Sequence, residues 1–461
     1  MKNLWLAGLL LCLSFSVTAG QPEGALRRLV ETECLKNAAI GVSVKQLEDG
    51  KTVAEYNPQM ALAPASVTKL LSTAFALKEK GKDFRYKTDV FYTGVIRDGI
   101  LEGNVWVEPD GDPSLESSYF ETYKFIEPLA KAIQQAGIKS IRGNIRVKMP
   151  VHEQEYIPGT WVWEDISNYY GACYLPFNYR DNLYTLELKS GAAGTKTQVV
   201  KVVPKQPGMT FRNEVRASEK GKSDAWIYGG PYSSVQYIRG IIPQNRASFR
   251  LKGAMHDPAR CFVEELTDRL AVLGIKVEHG QWKDGEKSEL AVFTSPVLEE
   301  IVFHTNKASV NLFAEALGKL ALGSRPLQEG MCGLLQEAGI EAAGVTLKDA
   351  CGLSPLNGVP ARVFTDLLIW AERQLDSAFV RSLPVAGTDG GLNGYYGNRA
   401  VLKNNLKAKT GSFSGVRCLA GYVTTVSGKT LAFTVLINYY TCSSAELQQA
   451  VGLFLEELVK S

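Results

Sequence analysis

Hydrophobic residues recur at helical or strand spacing near the start of the chain. An amphipathic stretch over residues 24–36 predicts a helix, and β-rich runs follow over 40–47 and 52–56. Asp49-Gly50 lies between these runs and is a strong hairpin signal. A second helix is predicted over residues 66–80, where the apolar positions again follow a helical period.

The C-terminal part has the same kinds of pattern. The runs 416–425 and 430–439 predict two antiparallel strands joined by a turn at Ser427-Gly428. An amphipathic helix is predicted over residues 445–460. Because helices bracket strands at both ends, we expect the two ends of the chain to meet in one α+β domain.

A long middle region, about residues 89–288, contains many short β-runs with glycine and aromatic residues. The chain has 461 residues, which is more than one hydrophobic core usually holds. We therefore predict a discontinuous domain made of residues 20–88 and 289–461. It is interrupted by one or two inserted β-rich domains over residues 89–288.

The first 19 residues have the pattern of a secretory signal peptide. Lys2 provides a positive charge, residues 4–17 form an apolar run, and Val17-Thr18-Ala19 offers a small-residue cleavage site. The apolar run is short for a membrane span. The pattern predicts an exported protein of the periplasm or cell envelope, soluble after cleavage. A retained N-terminal anchor is the alternative.

Composition and charge exclude several classes of function. The net charge is +3 and no long block of lysine or arginine occurs, so we do not expect nucleic-acid binding. The four histidines form no H-E-x-x-H motif, and G-x-S-x-G and Walker motifs are absent from the sequence. We therefore predict no metal site and no cofactor. If the protein is a hydrolase, its catalytic base is expected to be a group other than histidine.

Seven of the eight cysteines follow the predicted signal peptide, and none forms a C-x-x-C pair. In an oxidising compartment some of them are expected to pair, while an odd number leaves at least one free. Cys418 and Cys442 flank the C-terminal strand pair and are the pair that we expect to be bridged.

Ser66 and Lys69 form an S-x-x-K motif at the start of a predicted helix. Residues three apart share one face of a helix, so the Lys69 amine can reach the Ser66 hydroxyl. A lysine acts as a base only when it is neutral, and burial or a nearby second cation lowers its pKa. The alternative for an isolated motif of this kind is a helix-capping serine followed by a solvated lysine.

Two further motifs add to this one. Ser309 and Asn311 form S-x-N at the start of another amphipathic helix, predicted over residues 309–322, where Ser309 also fits a helix cap. Lys409-Thr410-Gly411 lies on a predicted strand, where Lys409 is a possible second cation and Gly411 lets a substrate backbone approach closely. The order S-x-x-K, S-x-N, K-T-G matches the motif set of penicillin-binding proteins and β-lactamases.

Several longer stretches carry a resemblance to one family within this set. They are Gly111-Asp112-Pro113-Ser114-Leu115, Trp161-Val162-Trp163-Glu164-Asp165 with Tyr170-Gly171, Leu383-Pro384-Val385-Ala386-Gly387-Thr388-Asp389-Gly390, Ala408-Lys409-Thr410-Gly411 and Leu419-Ala420-Gly421-Tyr422. With these motifs, the chain resembles the low-molecular-mass class C penicillin-binding proteins, the D-alanyl-D-alanine carboxypeptidase/endopeptidase family. The long separation of Ser66 from Ser309 fits the large insertions of this family, whereas β-lactamases have a much shorter gap.

The resemblance implies a fold and a reaction. The fold is a penicillin-binding-protein/β-lactamase-like transpeptidase domain, in which helices flank an antiparallel sheet, with large inserted domains. The reaction is hydrolysis of peptidoglycan stem peptides through an acyl-enzyme on Ser66, with Lys69 as general base and Ser309 assisting proton transfer. β-Lactams are the implied covalent inhibitors. A β-lactamase or esterase on the same core, and a non-enzymatic wall-binding protein, are the alternatives.

The resemblance also implies a set of substrate-binding residues. Asn311 would bind the substrate, and Lys409 and Thr410 of the K-T-G motif, which Gly411 completes, would bind its terminal carboxylate. The backbone N–H groups of Ser66 and Ser412 would form the oxyanion hole.

One segment departs from the pattern of the family. The usual Asp-Gly-Ser-Gly-Leu-Ser is replaced by Asp349-Ala350-Cys351-Gly352-Leu353-Ser354. Two alternatives stay open for Cys351, a free thiol near the site or a disulfide partner, for example of Cys332. Glu164 and Asp165 likewise have two interpretations, as contacts for the side chain of a diamino acid in the stem peptide or as part of a structural turn.

Overall fold

The computed structural model describes residues 21–149, 156–230, 233–282 and 284–461. The predicted signal peptide, residues 1–19, lies outside the described residues. Among the helices within these ranges, we find none whose length and apolar character suit it to cross a membrane.

The strands of the described residues are numbered in chain order. They are β1 (Ala39–Gln46), β2 (Thr52–Tyr56), β3 (Ala61–Leu62), β4 (Lys87–Thr93), β5 (Val95–Arg97), β6 (Ile100–Glu102), β7 (Val105–Pro109), β8 (Ser140–Arg142), β9 (Ile145–Val147), β10 (Leu183–Lys189), β11 (Gln198–Val203), β12 (Thr210–Asn213), β13 (Arg216–Ser218), β14 (Trp226–Tyr228), β15 (Val235–Arg239), β16 (Ile241–Pro243), β17 (Phe249–Ala254), β18 (Lys276–Val277), β19 (Lys287–Thr294), β20 (Val359–Pro360), β21 (Lys407–Phe413), β22 (Val416–Thr424) and β23 (Thr430–Asn438).

The α-helices are numbered in the same way. They are α1 (Gln21–Val30), α2 (Lys69–Lys80), α3 (Ile126–Gln135), α4 (Trp163–Ile166), α5 (Pro258–Val272), α6 (Leu298–Lys307), α7 (Asn311–Leu322), α8 (Leu327–Glu337), α9 (Ala361–Gln374), α10 (Ser377–Ser382) and α11 (Ser444–Lys460). The predicted helix over 24–36 is shorter than expected, since α1 is followed by a separate 3-10 turn at Glu33–Leu35.

The two ends of the chain build one five-stranded antiparallel sheet in the order β2-β1-β23-β22-β21. Strand β1 pairs along its whole length with β23, so that Val42 lies opposite Val435. Helices pack on both faces of this sheet. The predicted α+β class and the meeting of the two chain ends are therefore confirmed.

The sheet separates two hydrophobic cores. Leu436 packs in the core that includes Leu70 of α2 and Phe364 of α9. Its neighbour Val435 packs in the opposite core with Phe454 of α11. Because successive residues of a strand point to opposite faces, a strand covered on both sides is buried at nearly every position, as β23 is, and most of its residues are apolar.

The middle region contains two further cores. The first lies between α3, α5 and two four-stranded sheets, and β4 pairs with β19 where the chain enters and leaves this region. The second is formed by strands β10 to β17. The region therefore has helices as well as short strands. Its division from the rest of the chain at residues 89 and 288 stays a prediction.

The expected bridge between Cys418 and Cys442 is wrong. Cys442 is bonded to Cys34, with a Cα–Cα distance of 5.2 Å, and Cys418 is a free, buried thiol. The physical reason is the side of the sheet on which each cysteine lies. Cys418 on β22 faces the core of α2 and α9, whereas Cys34 and Cys442 pack with α1 and α11 on the opposite face.

Candidate active site

The structure brings Ser66 and Lys69 into direct contact. Ser66 lies in a 3-10 turn, Ala65–Thr68, and Lys69 begins α2 directly after it. A 3-10 helix has three residues per turn, so side chains three positions apart, such as those of Ser66 and Lys69, lie directly above one another. The Lys69 Nζ atom lies 2.9 Å from the Ser66 Oγ atom. Ser66 caps neither the turn nor the helix, so the capping alternative is wrong.

Lys69 has two more partners, and both are carbonyl oxygens. Its Nζ atom donates to Asn311 Oδ1 and to the Cys351 backbone oxygen, each at 2.6 Å. A neutral amine has two N–H bonds and one lone pair. Since the two carbonyl oxygens can only accept, the lone pair is left to face Ser66 Oγ, whose hydroxyl then donates to Nζ.

The surroundings of Lys69 favour the neutral amine. Its side chain is completely buried, and this burial lowers its pKa from the usual 10.5. Negative charge on Cys351, Asp349 and Glu315 acts in the opposite direction and raises the pKa. The protonation state of these neighbours therefore affects that of Lys69.

A second buried lysine lies across the site. Lys409 on β21 donates from Nζ to Ser309 Oγ at 2.9 Å and to the Thr410 backbone oxygen at 2.7 Å. Burial holds the pKa of Lys409 well below its usual range, and repulsion from the Lys69 ammonium group lowers it further. Lys69 therefore contributes to the lowered pKa of Lys409, although burial is the largest cause for each lysine. The expected effect of Lys409 on the pKa of Lys69 stays a prediction.

Ser309 lies in the short connection between α6 and α7. Its φ of 58° is in the left-handed region, and it does not cap α7, whose N-cap is Val310. The connection is anchored by Lys307, which is buried and donates to both oxygens of Asp389 and to the Leu383 backbone oxygen. The stretch from Leu383 to Gly390 therefore has a local role, because it holds the connection that carries Ser309.

Gly411 permits strand β21 to approach the serine. A Cβ atom at this position would lie 2.5 Å from the Pro64 backbone oxygen and 3.0 Å from the Ser66 backbone nitrogen. Any side chain would therefore push the strand away from the 3-10 turn. This close approach places Thr410 and Ser412 at the same cleft as Ser66.

The predicted site residues meet at one open cleft of about 770 Å³. Ser66, Ser309, Asn311, Thr410 and Ser412 line it, and Lys69 and Lys409 lie buried behind the two serines that they contact. The other lining residues are Glu164, Asp165, Tyr169, Tyr170, Trp226, Tyr228, Ala308, Gly352, Leu353, Phe413 and Ser414. All eight residues predicted for the site therefore lie at the cleft or directly behind it.

Some contributors to the cleft were not identified from the sequence. Trp226 and Tyr228 come from β14 in the middle region, about 160 residues beyond Ser66 in the chain. The Tyr170 backbone oxygen accepts from Asn311 Nδ2 at 2.7 Å. Partly exposed aromatic residues in a β-rich stretch are too common to indicate a site by themselves.

The structure decides between the alternatives for Cys351. Its thiol is free and buried, and Cys332 is also free. Burial and the neighbouring carboxyl groups of Asp349 and Glu315 raise the pKa of the Cys351 thiol well above 9.0. The thiol is therefore not poised as a nucleophile. The chemically relevant atom of Cys351 is its backbone oxygen, which accepts from Lys69.

Glu315, Asp349 and Cys351 have potential ligand atoms within 4.8 Å of one another, and they are the residues of the described chain that best match a metal-binding group. The Asp349 carboxylate is already occupied. It accepts from the Gly352 N–H and from Asn357 Nδ2, each at 2.7 Å, and from two further donors. This arrangement is that of a hydrogen-bonded turn, in which the carboxylate has a structural role.

A serine in contact with a buried lysine, beside a second serine in contact with another buried lysine, defines an active-site serine hydrolase of the penicillin-binding-protein and β-lactamase type. A family model supports a narrower identification. Residues 23–458 match the D-Ala-D-Ala carboxypeptidase 3 (S13) family, and the chain belongs to this family. It is therefore a hydrolase, a serine-type D-Ala-D-Ala carboxypeptidase, which confirms the resemblance inferred from the motifs.

Individual relatives match over most of the chain. The D-alanyl-D-alanine carboxypeptidase DacB of Haemophilus influenzae is 26% identical over 435 residues, which cover 88% of this chain and 87% of that protein. The D-alanyl-D-alanine carboxypeptidase of an Actinomadura species is 26% identical over 93% of this chain and 83% of that protein. The crystal structure of penicillin-binding protein 4 from H. influenzae shares the fold, with a TM-score of 0.79, 24% identity, and coverage of 95% of this chain and 99% of that one.

Proposed function

We propose that the protein hydrolyses D-alanyl peptide bonds of peptidoglycan stem peptides through an acyl-enzyme on Ser66. Both a terminal D-Ala-D-Ala bond and a cross-link that ends in D-Ala fit this reaction. The observation that carries the proposal is the position of the Lys69 amine, 2.9 Å from Ser66 Oγ and held by two carbonyl oxygens.

Acylation begins with proton transfer from the Ser66 hydroxyl to the Lys69 amine. Ser66 Oγ then forms a bond to the carbonyl carbon of the penultimate D-Ala, and the backbone N–H groups of Ser66 and Ser412 stabilise the oxyanion. As the C–N bond breaks, the proton that Lys69 took from Ser66 passes to the leaving amine through the Ser309 hydroxyl, which contacts Lys409, so that Lys69 is neutral again. Water then cleaves the ester, with Lys69 again as base.

The K-T-G strand is proposed to hold the substrate's carboxylate. The Thr410 and Ser412 hydroxyls line the cleft, and Lys409 lies buried behind them, where a bound carboxylate would favour its protonated form. The second N–H of the Asn311 amide is available for a substrate carbonyl, because Oδ1 holds Lys69 and one N–H holds the Tyr170 oxygen. One amide then serves both the base and the substrate.

One end of the cleft suits a substrate that carries a positive charge. Glu164 and Asp165 line it together with Trp226 and Tyr228. Carboxylates and aromatic faces both attract an ammonium group. We therefore propose that this end receives the amino group of a diamino acid in the stem peptide. Asp165 also accepts from the Tyr170 hydroxyl at 2.9 Å, which keeps its carboxyl group in place.

The place of action is proposed from the sequence. Residues 1–19 have the pattern of a secretory signal, which supports export to the periplasm or cell envelope, where peptidoglycan is built. β-Lactams are the proposed covalent inhibitors, because their strained amide presents a carbonyl carbon to the same serine.

Labelling with a fluorescent penicillin tests the assignment of Ser66. We expect a stable covalent adduct with the wild-type protein and with Ser427→Ala, a matched control in an exposed turn, and none with Ser66→Ala. Equal labelling of Ser66→Ala would contradict the assignment. Release of D-Ala from pentapeptide and cleavage of cross-linked muropeptides measure the two reactions, and rapid turnover of penicillin would instead indicate a β-lactamase.

A further inference from the structure

Glu315 holds the backbone segment that lies behind Lys69. It is on α7, four residues after Asn311, so the two side chains share one face of the helix. Its Oε1 atom accepts from the Ala350 N–H at 2.9 Å, and the N–H and thiol of Cys351 also interact favourably with the same carboxyl group. One side chain therefore fixes two consecutive residues.

The other side of this segment faces α2. The Ala350 backbone oxygen accepts from the Ser72 hydroxyl, and the Cys351 backbone oxygen accepts from Lys69 Nζ at 2.6 Å. Ser72 and Lys69 are three residues apart and lie on the same face of α2. The segment Ala350-Cys351 is thus clamped between a carboxyl group on α7 and two donors on α2.

The position of the Cys351 oxygen determines the direction of the Lys69 lone pair. With Asn311 Oδ1 and the Cys351 oxygen on its two N–H groups, a neutral amine has its remaining position aimed at Ser66. If the Cys351 oxygen moves, the amine can rotate and its lone pair loses this aim. Misplacement of a reacting group by about 1 Å can cost about 100-fold in rate.

We propose that Glu315 is a positioning residue, which orients the Lys69 base by holding the Cys351 carbonyl group against it. The proposal rests on the proposed function, in which Lys69 activates Ser66. It adds a residue outside the three motifs, because Glu315 does not line the cleft and acts only through the segment that it holds.

The protonation of Glu315 fits this role. Burial raises its pKa to about 8, and the neighbouring Asp349 acts in the same direction. At neutral pH the group is therefore mainly an uncharged acid. Since an ionised Glu315 raises the pKa of Lys69, an uncharged one keeps the segment in place without stabilising the protonated, inactive amine. The titratable groups that face it are Lys69, Asp349, Cys351 and Cys173.

The test compares Glu315→Ala with Glu315→Gln in the full-length protein, using the acylation rate constant with a fluorescent penicillin. Glutamine keeps an oxygen for the Ala350 N–H and is always uncharged, whereas alanine releases the segment. We expect Glu315→Ala to slow acylation about 10-fold or more with little change in the dissociation constant before acylation, and Glu315→Gln to restore most of the loss. Glu329→Gln, at an exposed position on α8, is the matched control.

The pH profile separates positioning from a purely structural role. Above about pH 8, where Glu315 is ionised in the wild type, its charge raises the pKa of Lys69, and the glutamine variant lacks this effect. We therefore expect Glu315→Gln to acylate faster than the wild type above about pH 8 and to come close to it at neutral pH, while Glu329→Gln follows the wild type at every pH. A structural defect would lower the rate at every pH.

Three results would overturn the proposal. They are a wild-type rate in Glu315→Ala, equal losses in the glutamine and alanine variants, and a Glu315→Gln rate that stays below that of the wild type by the same factor at every pH. If the alanine variant does not fold, the glutamine profile still decides. Labelling of the wild type and of Ser66→Ala is measured in parallel. If the wild type is labelled and Ser66→Ala is not, the proposed function stands whatever the Glu315 variants show.

Discussion

At the scale of single residues, the site contains two lysines whose side chains are shielded from solvent. Lys69 and Lys409 are both almost completely buried, and each contacts one serine hydroxyl. A buried ammonium group is costly, so each site favours the neutral amine. Burial thereby shifts each lysine from the acid that it is in water towards the neutral, basic form.

The pH dependence of acylation follows from this burial. The pKa of Lys69 is lowered, and only the neutral amine accepts the Ser66 proton, so the acylation rate rises with pH through a midpoint below 10.5. The rate constant for labelling by a fluorescent penicillin, measured from pH 5 to 11, gives this midpoint. A midpoint at or above that of an exposed lysine would show that Lys69 is not the base. Lys69→Ala should lose acylation at every pH.

At the scale of elements, the site depends on how closely β21 approaches the 3-10 turn of Ser66. The strand pairs with β22 in regular register, from Lys407 opposite Tyr422 to Phe413 opposite Val416. The position of the strand is therefore fixed by the sheet, and that of the serine by α2. Gly411 is the point at which the two elements can come within contact distance.

Gly411→Ala tests this contact. The added Cβ atom would lie 2.5 Å from the Pro64 oxygen, so either the strand or the turn must move. We expect acylation to fall about 100-fold, because the hydroxyls of Thr410 and Ser412 lose their alignment with Ser66.

Gly333→Ala is the control for this substitution. Gly333 lies inside α8, and nothing is within 4 Å of the Cβ atom that would be added. We expect it to leave acylation unchanged and to stabilise the protein by up to about 1 kcal/mol. Wild-type acylation by Gly411→Ala would show that the close approach is not required.

At the scale of the whole molecule, the two ends of the chain are joined into one unit. Strand β1 pairs with β23, and α1 packs with α11 in the same core. The Cys34–Cys442 disulfide links these ends across a sequence separation of 408 residues. The catalytic motifs lie within the long loop that this bond closes. The bond reduces the conformational entropy of the unfolded chain and thereby stabilises the folded state.

Removal of the disulfide should lower stability without touching the cleft. We expect Cys34→Ala/Cys442→Ala to reduce the free energy of unfolding by about 2–5 kcal/mol. Differential scanning calorimetry with and without a reductant gives the comparison. The reductant should lower the melting temperature of the wild type and leave that of the double variant unchanged. An equal fall in both proteins would assign the effect to something other than this bond.

Much of the fold was accessible from the sequence because it depends on local periods. The strands β1, β2, β22 and β23 and the helices α2, α7 and α11 lie within a few residues of their predicted limits. Their apolar positions repeat every two or about 3.6 residues, which a linear pattern reveals. For the middle region the sequence predicts only a β-rich character. Its strands are short, and a short strand has too few alternating apolar and polar positions to identify the strands that pair with it.

The candidate site shows the same division. The sequence by itself identified the candidate catalytic side chains, since Ser66, Lys69, Ser309 and Lys409 stand in motifs whose order and element type are specific. Only the tertiary structure decided the partner of Cys442, the free state of Cys351 and the contact of Glu315 with Ala350. Each of these features involves residues from distant segments and depends on which face of a sheet or helix each residue lies on. Tertiary packing decides how those faces meet, and the spacing of residues along the chain does not.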